Sequence, residues 1–119
     1  MKFHKSPIEG INVVSNDPFL GIIDDFLDDK EIKGVVDLVK DELKPSLTVD
    51  KKTGEYTVSK TRTSHSATLP KHATLVQNIA KKCSTYSGYD KEQLEELQVV
   101  HYEKGQKFDF HHDSNPPLN

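Results

Sequence analysis

Ile32, Val35, Val36, Val39 and Leu43 stand at offsets of 0, 3, 4, 7 and 11. That spacing lines one stripe of an α-helix and matches no face of a strand. Asp28 precedes Glu31 by three residues, the spacing of a capping box, and Pro45 closes the helix. An amphipathic helix needs a second layer to cover its stripe, so the rest of the chain must supply one. At 119 residues the chain is long enough for one small domain with one core.

The remaining pattern is mixed. Residues 1–17 carry Pro7, Gly10, Asn16 and Asp17 and read as a loosely ordered lead-in to a domain over 18–119. Pro18–Leu27, "PFLGIIDDFL", is a short apolar run consistent with a strand entering a turn. β-Branched runs on both sides of "DKKTGE" predict a hairpin. A second helix is expected from about Lys71 to Tyr86, with Leu75, Val76, Ile79, Ala80 and Cys83 inward. "ELQVVHYE" reads as a strand, Gly105 as a turn and "KFDFHHD" as a further strand, before the turn-like "SNPPLN". Helices come first and strands accumulate late, which predicts an α+β fold.

Composition excludes several functions. Net charge is −3 with acids and bases interspersed, unlike the basic stripe of a nucleic-acid binder, so no nucleic-acid partner is expected. A single cysteine, Cys83, supports neither an intramolecular disulfide nor a cysteine-rich metal site. No apolar run approaches membrane-spanning length and the N-terminus lacks a continuous apolar segment. The expectation is a soluble, cytoplasmic protein with no membrane partner.

The chemistry-bearing stretch is "KGQKFDFHHDSN", Lys104 to Asn115. In an extended strand Phe108, Phe110 and His112 share one face, and Lys107, Asp109, His111 and Asp113 the other. His111 and Asp113 would then converge, one offering an imidazole nitrogen and the other a carboxylate oxygen. A His-x-Asp pair is two-thirds of the two-histidine, one-carboxylate triad of non-haem Fe(II) sites. The triplet alone is better explained by a solvated strand end.

Its surroundings resemble the prolyl 4-hydroxylase-like branch of the Fe(II)- and 2-oxoglutarate-dependent dioxygenases. That family's run matches Glu95, Leu97-Gln98-Val99, Tyr102, Gly105-Gln106, Phe108, His111 and Asp113 at the family's intervals. Arg62-Thr63-Ser64 with Leu69 resembles its Arg-Thr-Ser segment, and "IIDDFLDDKEIKGVVDLV" its opening strand, loop and first helix. The resemblance runs from about Phe19 to Asp113.

It implies that His111 and Asp113 are iron ligands and that the Tyr102 hydroxyl contacts 2-oxoglutarate. Arg62, Ser64 and Glu95 match positions that hold a peptide substrate. The implied fold is a double-stranded β-helix, a jelly roll, with supporting helices on its major sheet. The implied chemistry is hydroxylation of a proline-containing peptide or protein, with 2-oxoglutarate converted to succinate and ascorbate keeping the iron reduced.

His112 stands where the family often has an aromatic, Phe110 where it often has proline, and His65-Ser66 where glycine often follows. The family's second histidine ligand, and the basic residue for the far carboxylate of 2-oxoglutarate, lie further along on later strands. Neither has a counterpart here, so the resemblance implies the N-terminal part of the domain. His4, His65, His72 and His101 sit at no spacing that favours substitution.

Simpler readings stand beside these. Arg62 could pair with a nearby acid, Glu95 could belong to a solvated face, and Tyr102 could pack on a sheet. The Asp pairs at 24–25 and 28–29 suit turn and cap duty, and Cys83 suits a core. Three hypotheses follow: part of a dioxygenase, a non-catalytic interaction module of the same fold, or an unrelated α+β domain binding a metal through His111, His112 and Asp113. Open sheet edges and an uncovered apolar face would make the isolated chain marginally stable, oligomeric or dependent on a completing C-terminal chain. No turnover is expected of it alone.

Overall fold

The computed structural model describes residues 10–50 and 52–113. Its elements are β1 (Ile11–Asn16), β2 (Phe19–Ile23), α1 (Asp29–Val39), β3 (Lys44–Pro45), β4 (Leu47–Val49), β5 (Tyr56–Val58), β6 (His65–Thr68), α2 (Thr74–Ser87), a 3₁₀ turn (Lys91–Gln93) and β7 (Gln98–His101). The fold is α+β, with no closed barrel among the described residues. None of the described helices is long and apolar enough to cross a membrane. The contacts resolve into two compact units, one of residues up to 41 with 68–98, the other of 42–67 with the residues from 99 onward.

In the first unit, β1 and β2 form an antiparallel hairpin running from Ile11 opposite Ile23 to Asn16 opposite Phe19, with an irregular register between Val13 and Ser15. This corrects the expected lead-in: Ile11–Asn16 is a strand, and residues 1–9 lie outside the described part. Asn16, taken as a breaker, is the last residue of β1, and Asp17 forms the bend with Pro18 between two paired strands.

α1 begins at the capping box its sequence predicts. The Asp28 carboxylate accepts from the Glu31 backbone N–H at 2.7 Å, and Glu31 Oε1 accepts from that of Asp28 at 3.1 Å. Glu31 also reaches α2, where Lys82 Nζ donates to both carboxylate oxygens at 2.7 and 2.9 Å and to the Phe26 carbonyl at 3.2 Å. The Lys82 ammonium, foremost, and the Asp28 N–H hold the Glu31 carboxyl below the usual carboxylate range. The helices approach closely at Gly34, where a Cβ would fall 2.6 Å from Leu75 Cδ2. Phe26 meets Tyr86 edge to face, with centroids 5.7 Å apart.

Val39, Leu69, Val76 and Ile79 form the buried core of this unit. α2 covers Thr74–Ser87 and ends at Gly88 with φ of +79°, a left-handed conformation that suits glycine. The stripe of α1 is only partly covered: Val39 is buried, but Ile32 and Val36 are about half-exposed. The contact runs along Glu31, Gly34 and Val39, so the Ile32–Val36 edge of the stripe faces away from it.

In the second unit β3, β6 and β7 form a sheet in that order, with β3 antiparallel to β6. β4 and β5 form the hairpin expected around "DKKTGE", pairing Leu47 with Val58 and Val49 with Tyr56. Asp50 N–H donates to the Glu55 carbonyl, and Gly54, at φ of +75°, donates to that of Asp50.

The expected strand over "KFDFHHD" is not formed. Phe108 makes a single bridge to Arg62, and the chain is irregular beyond it. Phe110, set on the face of Phe108 by strand alternation, is fully exposed, whereas Phe108 is half-buried. Ladder bonding ends at Asp109, whose N–H reaches the Thr61 carbonyl at 2.8 Å. Past that point nothing imposes a two-residue alternation of faces.

Candidate functional site

The Arg-Thr-Ser segment is anchored from below by hydroxyls. Ser46 and Ser64 are each 1% exposed, the most deeply buried polar residues of the second unit. Ser64 Oγ donates to Ser46 Oγ at 2.9 Å, and Ser46 Oγ lies 2.8 Å from Ser66 Oγ. The backbone supports the same pairing, with Ser46 N–H bonded to the Ser64 carbonyl at 2.9 Å. Buried hydroxyls need partners, and these three supply one another's.

Ser64 in turn holds Arg62. The guanidinium donates from Nε to Ser64 Oγ and from Nη1 to the Leu47 carbonyl, both at 3.3 Å. Its Cζ lies 4.6 Å from the centroid of the Phe108 ring, a cation–π contact. Thr63 fixes the facing segment, its N–H donating to the Lys107 carbonyl at 2.8 Å and its Oγ1 accepting from the Lys107 N–H at 2.9 Å. The Gly105 turn precedes this segment, at φ of +87°, with Gln106 N–H on the Glu103 carbonyl and Gln106 Oε1 accepting from the Glu103 N–H.

His111 stacks on Phe108, with centroids 3.7 Å apart and planes 9° from parallel. Strand alternation had put these two residues on opposite faces; the irregular backbone after Asp109 brings them to the same one. His111 Nδ1 lies 2.7 Å from the Asp109 carbonyl. A carbonyl only accepts, so Nδ1 carries a proton and Nε2 is the nitrogen left for other chemistry. Nε2 lies 3.1 Å from Asp113 Oδ1. Both side chains are open to solvent, Asp113 almost fully.

Two such acceptors at 3.1 Å share either a second imidazole proton or a cation. Octahedral bonds of about 2.1 Å set neighbouring ligands about 3 Å apart, so the pair has the separation of two adjacent corners. A ligating histidine whose other nitrogen donates to a backbone carbonyl is also the usual arrangement around a metal. The donor set therefore fits a divalent metal of the iron type. Among the described residues no group of three histidine, cysteine or acidic side chains converges to hold an ion, so His111, His112 and Asp113 do not assemble as a trio.

Tyr102 follows β7 and is about half-exposed. His101 is bonded to Glu103, Nε2 to Oε1 at 2.8 Å, and that contact holds the Glu103 carboxyl below its ordinary range. Glu95 belongs to the first unit. There it lines a cavity of about 330 Å³ with His72, Val76, Ala80 and Leu97. Cys83 lies on α2, half-buried, and burial pushes its thiol above the usual range. Sequence reasoning passed over Ser46, which belongs to no motif and pairs across 18 residues, and gave Phe108 a place in the family's run but no contact with His111.

Curated proteins resemble this sequence over most of its length. Prolyl 4-hydroxylase 2 of Arabidopsis thaliana is 38% identical over 104 residues, covering 87% of this chain and 35% of that protein. Probable prolyl 4-hydroxylase 10 of the same plant is 35% identical over 104 residues, 87% of this chain and 36% of its own length. Prolyl 4-hydroxylase 5, again from that plant, is 35% identical over the same span. The chain thus spans about a third of the length of the curated relatives it matches. No protein-family model matches it.

Proposed function

We propose, for a chain related to the prolyl 4-hydroxylases, that it carries part of an oxidoreductase site for Fe(II)- and 2-oxoglutarate-dependent hydroxylation of a peptidyl proline. The observation that carries this reading is the His111 Nε2–Asp113 Oδ1 pair, 3.1 Å apart, inside a sequence shared with those enzymes. Iron bound there would supply the oxidising chemistry, with 2-oxoglutarate as co-substrate and ascorbate as reductant.

The chain's own residues would do the following. His111 would present Nε2 while its Nδ1–H stays on the Asp109 carbonyl, and Asp113 would add one carboxylate oxygen. Tyr102 would offer its hydroxyl to the co-substrate. Arg62 would face the substrate peptide, its guanidinium held by the buried Ser64 hydroxyl. The strands described would belong to a jelly roll, whose further strands would supply a second histidine and the basic residue for the far carboxylate. A completing chain would serve the same need.

An anaerobic titration with Fe(II) tests the reading. Binding is expected for the chain and its loss in His111→Ala and in Asp113→Ala. Binding that neither substitution alters would sink it, and a non-catalytic interaction module predicts no iron binding at all. Succinate release is not expected from the 119 residues alone, because two protein ligands leave iron too loosely held.

A further inference from the structure

We infer that Phe108 is the positioning residue of His111: its ring, backed by Arg62 and the buried serines, fixes the imidazole plane that aims Nε2 at a metal. The inference rests on the reading of His111 as a metal ligand and adds a role that the resemblance does not assign.

The geometry is a stack with a fixed base. His111 lies flat against the Phe108 ring at 3.7 Å, and the Arg62 guanidinium stands 4.6 Å from the same centroid. Both partners thus pack against the one Phe108 ring. Arg62 cannot swing away freely, because Ser64 Oγ and the Leu47 carbonyl accept from two of its nitrogens. Ser64 is 1% exposed and tied to Ser46. A continuous line of contacts therefore runs from a buried hydroxyl cluster to an exposed imidazole.

His111 needs such a support. It stands past the last ladder bond, on backbone that belongs to no element, and its side chain is open to water. Its Nδ1 bond to the Asp109 carbonyl fixes one direction in the ring plane. The tilt of that plane is left to whatever packs on its face, and that is Phe108. The side chains assigned to a substrate, Arg62 and Ser64, thereby also act on the metal side. Movement of Arg62 towards a peptide would loosen or tighten the stack.

Mn(II) titration of the whole chain, followed by nuclear magnetic resonance of the His111 ring protons, tests this without turnover. A stacked imidazole shows ring-current upfield shifts before any metal is added; unshifted His111 protons would overturn the inference with no variant needed. Mn(II) is expected to broaden those signals in the wild type, while His111→Ala removes its effect on neighbouring amides. Phe108→Leu is expected to need about tenfold more Mn(II) and Phe108→Tyr about the same as wild type, the scale of losing or keeping an outer partner of a metal ligand. The backbone bonds of Lys107 and Asp109 do not involve the Phe108 side chain, and rescue by tyrosine separates positioning from folding. Equal broadening in wild type and Phe108→Leu overturns the inference and leaves the metal reading intact. No broadening of His111 in the wild type overturns the metal reading itself, and this inference with it.

Discussion

Replacing Ser46 by alanine removes the middle hydroxyl of a buried chain of three. In the native protein Ser64 Oγ donates to it at 2.9 Å and Ser66 Oγ lies 2.8 Å on its other side. The Ser46 N–H bond to the Ser64 carbonyl involves only backbone and survives the change. Two side-chain bonds are lost, each worth about 1 kcal/mol net, and the Ser64 hydroxyl, 1% exposed, keeps a donor with no acceptor within water's reach. The loss of stability should be about 2–3 kcal/mol, since the two bonds and the stranded donor describe overlapping parts of one cost. Ser66→Ala removes one terminal bond at a half-buried site and should cost about 1 kcal/mol. Urea denaturation reads the difference: with a slope of about 1–1.5 kcal/mol/M, Ser46→Ala should lower the midpoint by about 2 M and Ser66→Ala by less than about 1 M. Equal shifts for the two variants would refute the reasoning, because they would mean that the middle hydroxyl matters no more than the end one. A loss below about 0.5 kcal/mol for Ser46→Ala would do the same.

Other expectations are more local. Asp28→Ala removes the N-cap acceptor of α1 and should cost about 1 kcal/mol in the same denaturation assay, with an unchanged midpoint counting against the cap. Lys82 lowers the folded-state pKa of Glu31, so this carboxylate stabilises the fold fully above its ordinary value near 4.5 and progressively less as pH falls through the lower folded value. Midpoints measured from pH 7 to pH 3 should therefore fall less steeply in Lys82→Met than in wild type; parallel curves would contradict this sign. At Gly34 an added methyl meets only the tip of Leu75, a half-buried side chain able to turn aside. Gly34→Ala should stay within about 1 kcal/mol of wild type, helix propensity offsetting the crowding, whereas Gly34→Ile should lose about 2–3 kcal/mol by forcing the helices apart. Thermal melts of the pair check the ordering.

What could be read from the sequence was what is decided by near neighbours. The capping box depends on residues three apart, the β4–β5 hairpin on the polar stretch between its strands, and the Gly105 turn on one backbone conformation. The relationship to the prolyl 4-hydroxylases was legible in the same way, in the intervals between Gln98, Gly105, His111 and Asp113. The α+β class followed from these parts.

The misread elements depend on where hydrogen bonding stops and on distant partners. Breakers at Asn16 and Asp17 mark equally a loose lead-in and the bend of a paired hairpin, and only β2 decides between them. The run "KFDFHHD" has the composition of a strand, but its pairing ends at Asp109, so Phe110 turns to solvent and His111 folds back on Phe108. Ser46 and Ser64 are common residues in an ordinary context; nothing near either one signals that they meet. Ile32 and Val36 were correctly placed on a helix, but α1 ends at Val39, short of Leu43 and the expected stop at Pro45, and its stripe is wider than the contact that covers it.

Glu31 Oε1 accepts from two directions at once, from the Asp28 N–H at 3.1 Å and from Lys82 Nζ at 2.7 Å. A purely local signal and a contact spanning 51 residues thus converge on a single atom. The first turn of α1 reaches its final electrostatic state only once α2 has arrived, and α2 finds its lysine partner only if that turn has formed. The helix start and the contact between the helices are thereby linked through one carboxylate. Glu31→Gln separates the two, since glutamine can still close a capping box but cannot neutralise an ammonium. In that variant α1 should start as before and lose its memory of where α2 belongs.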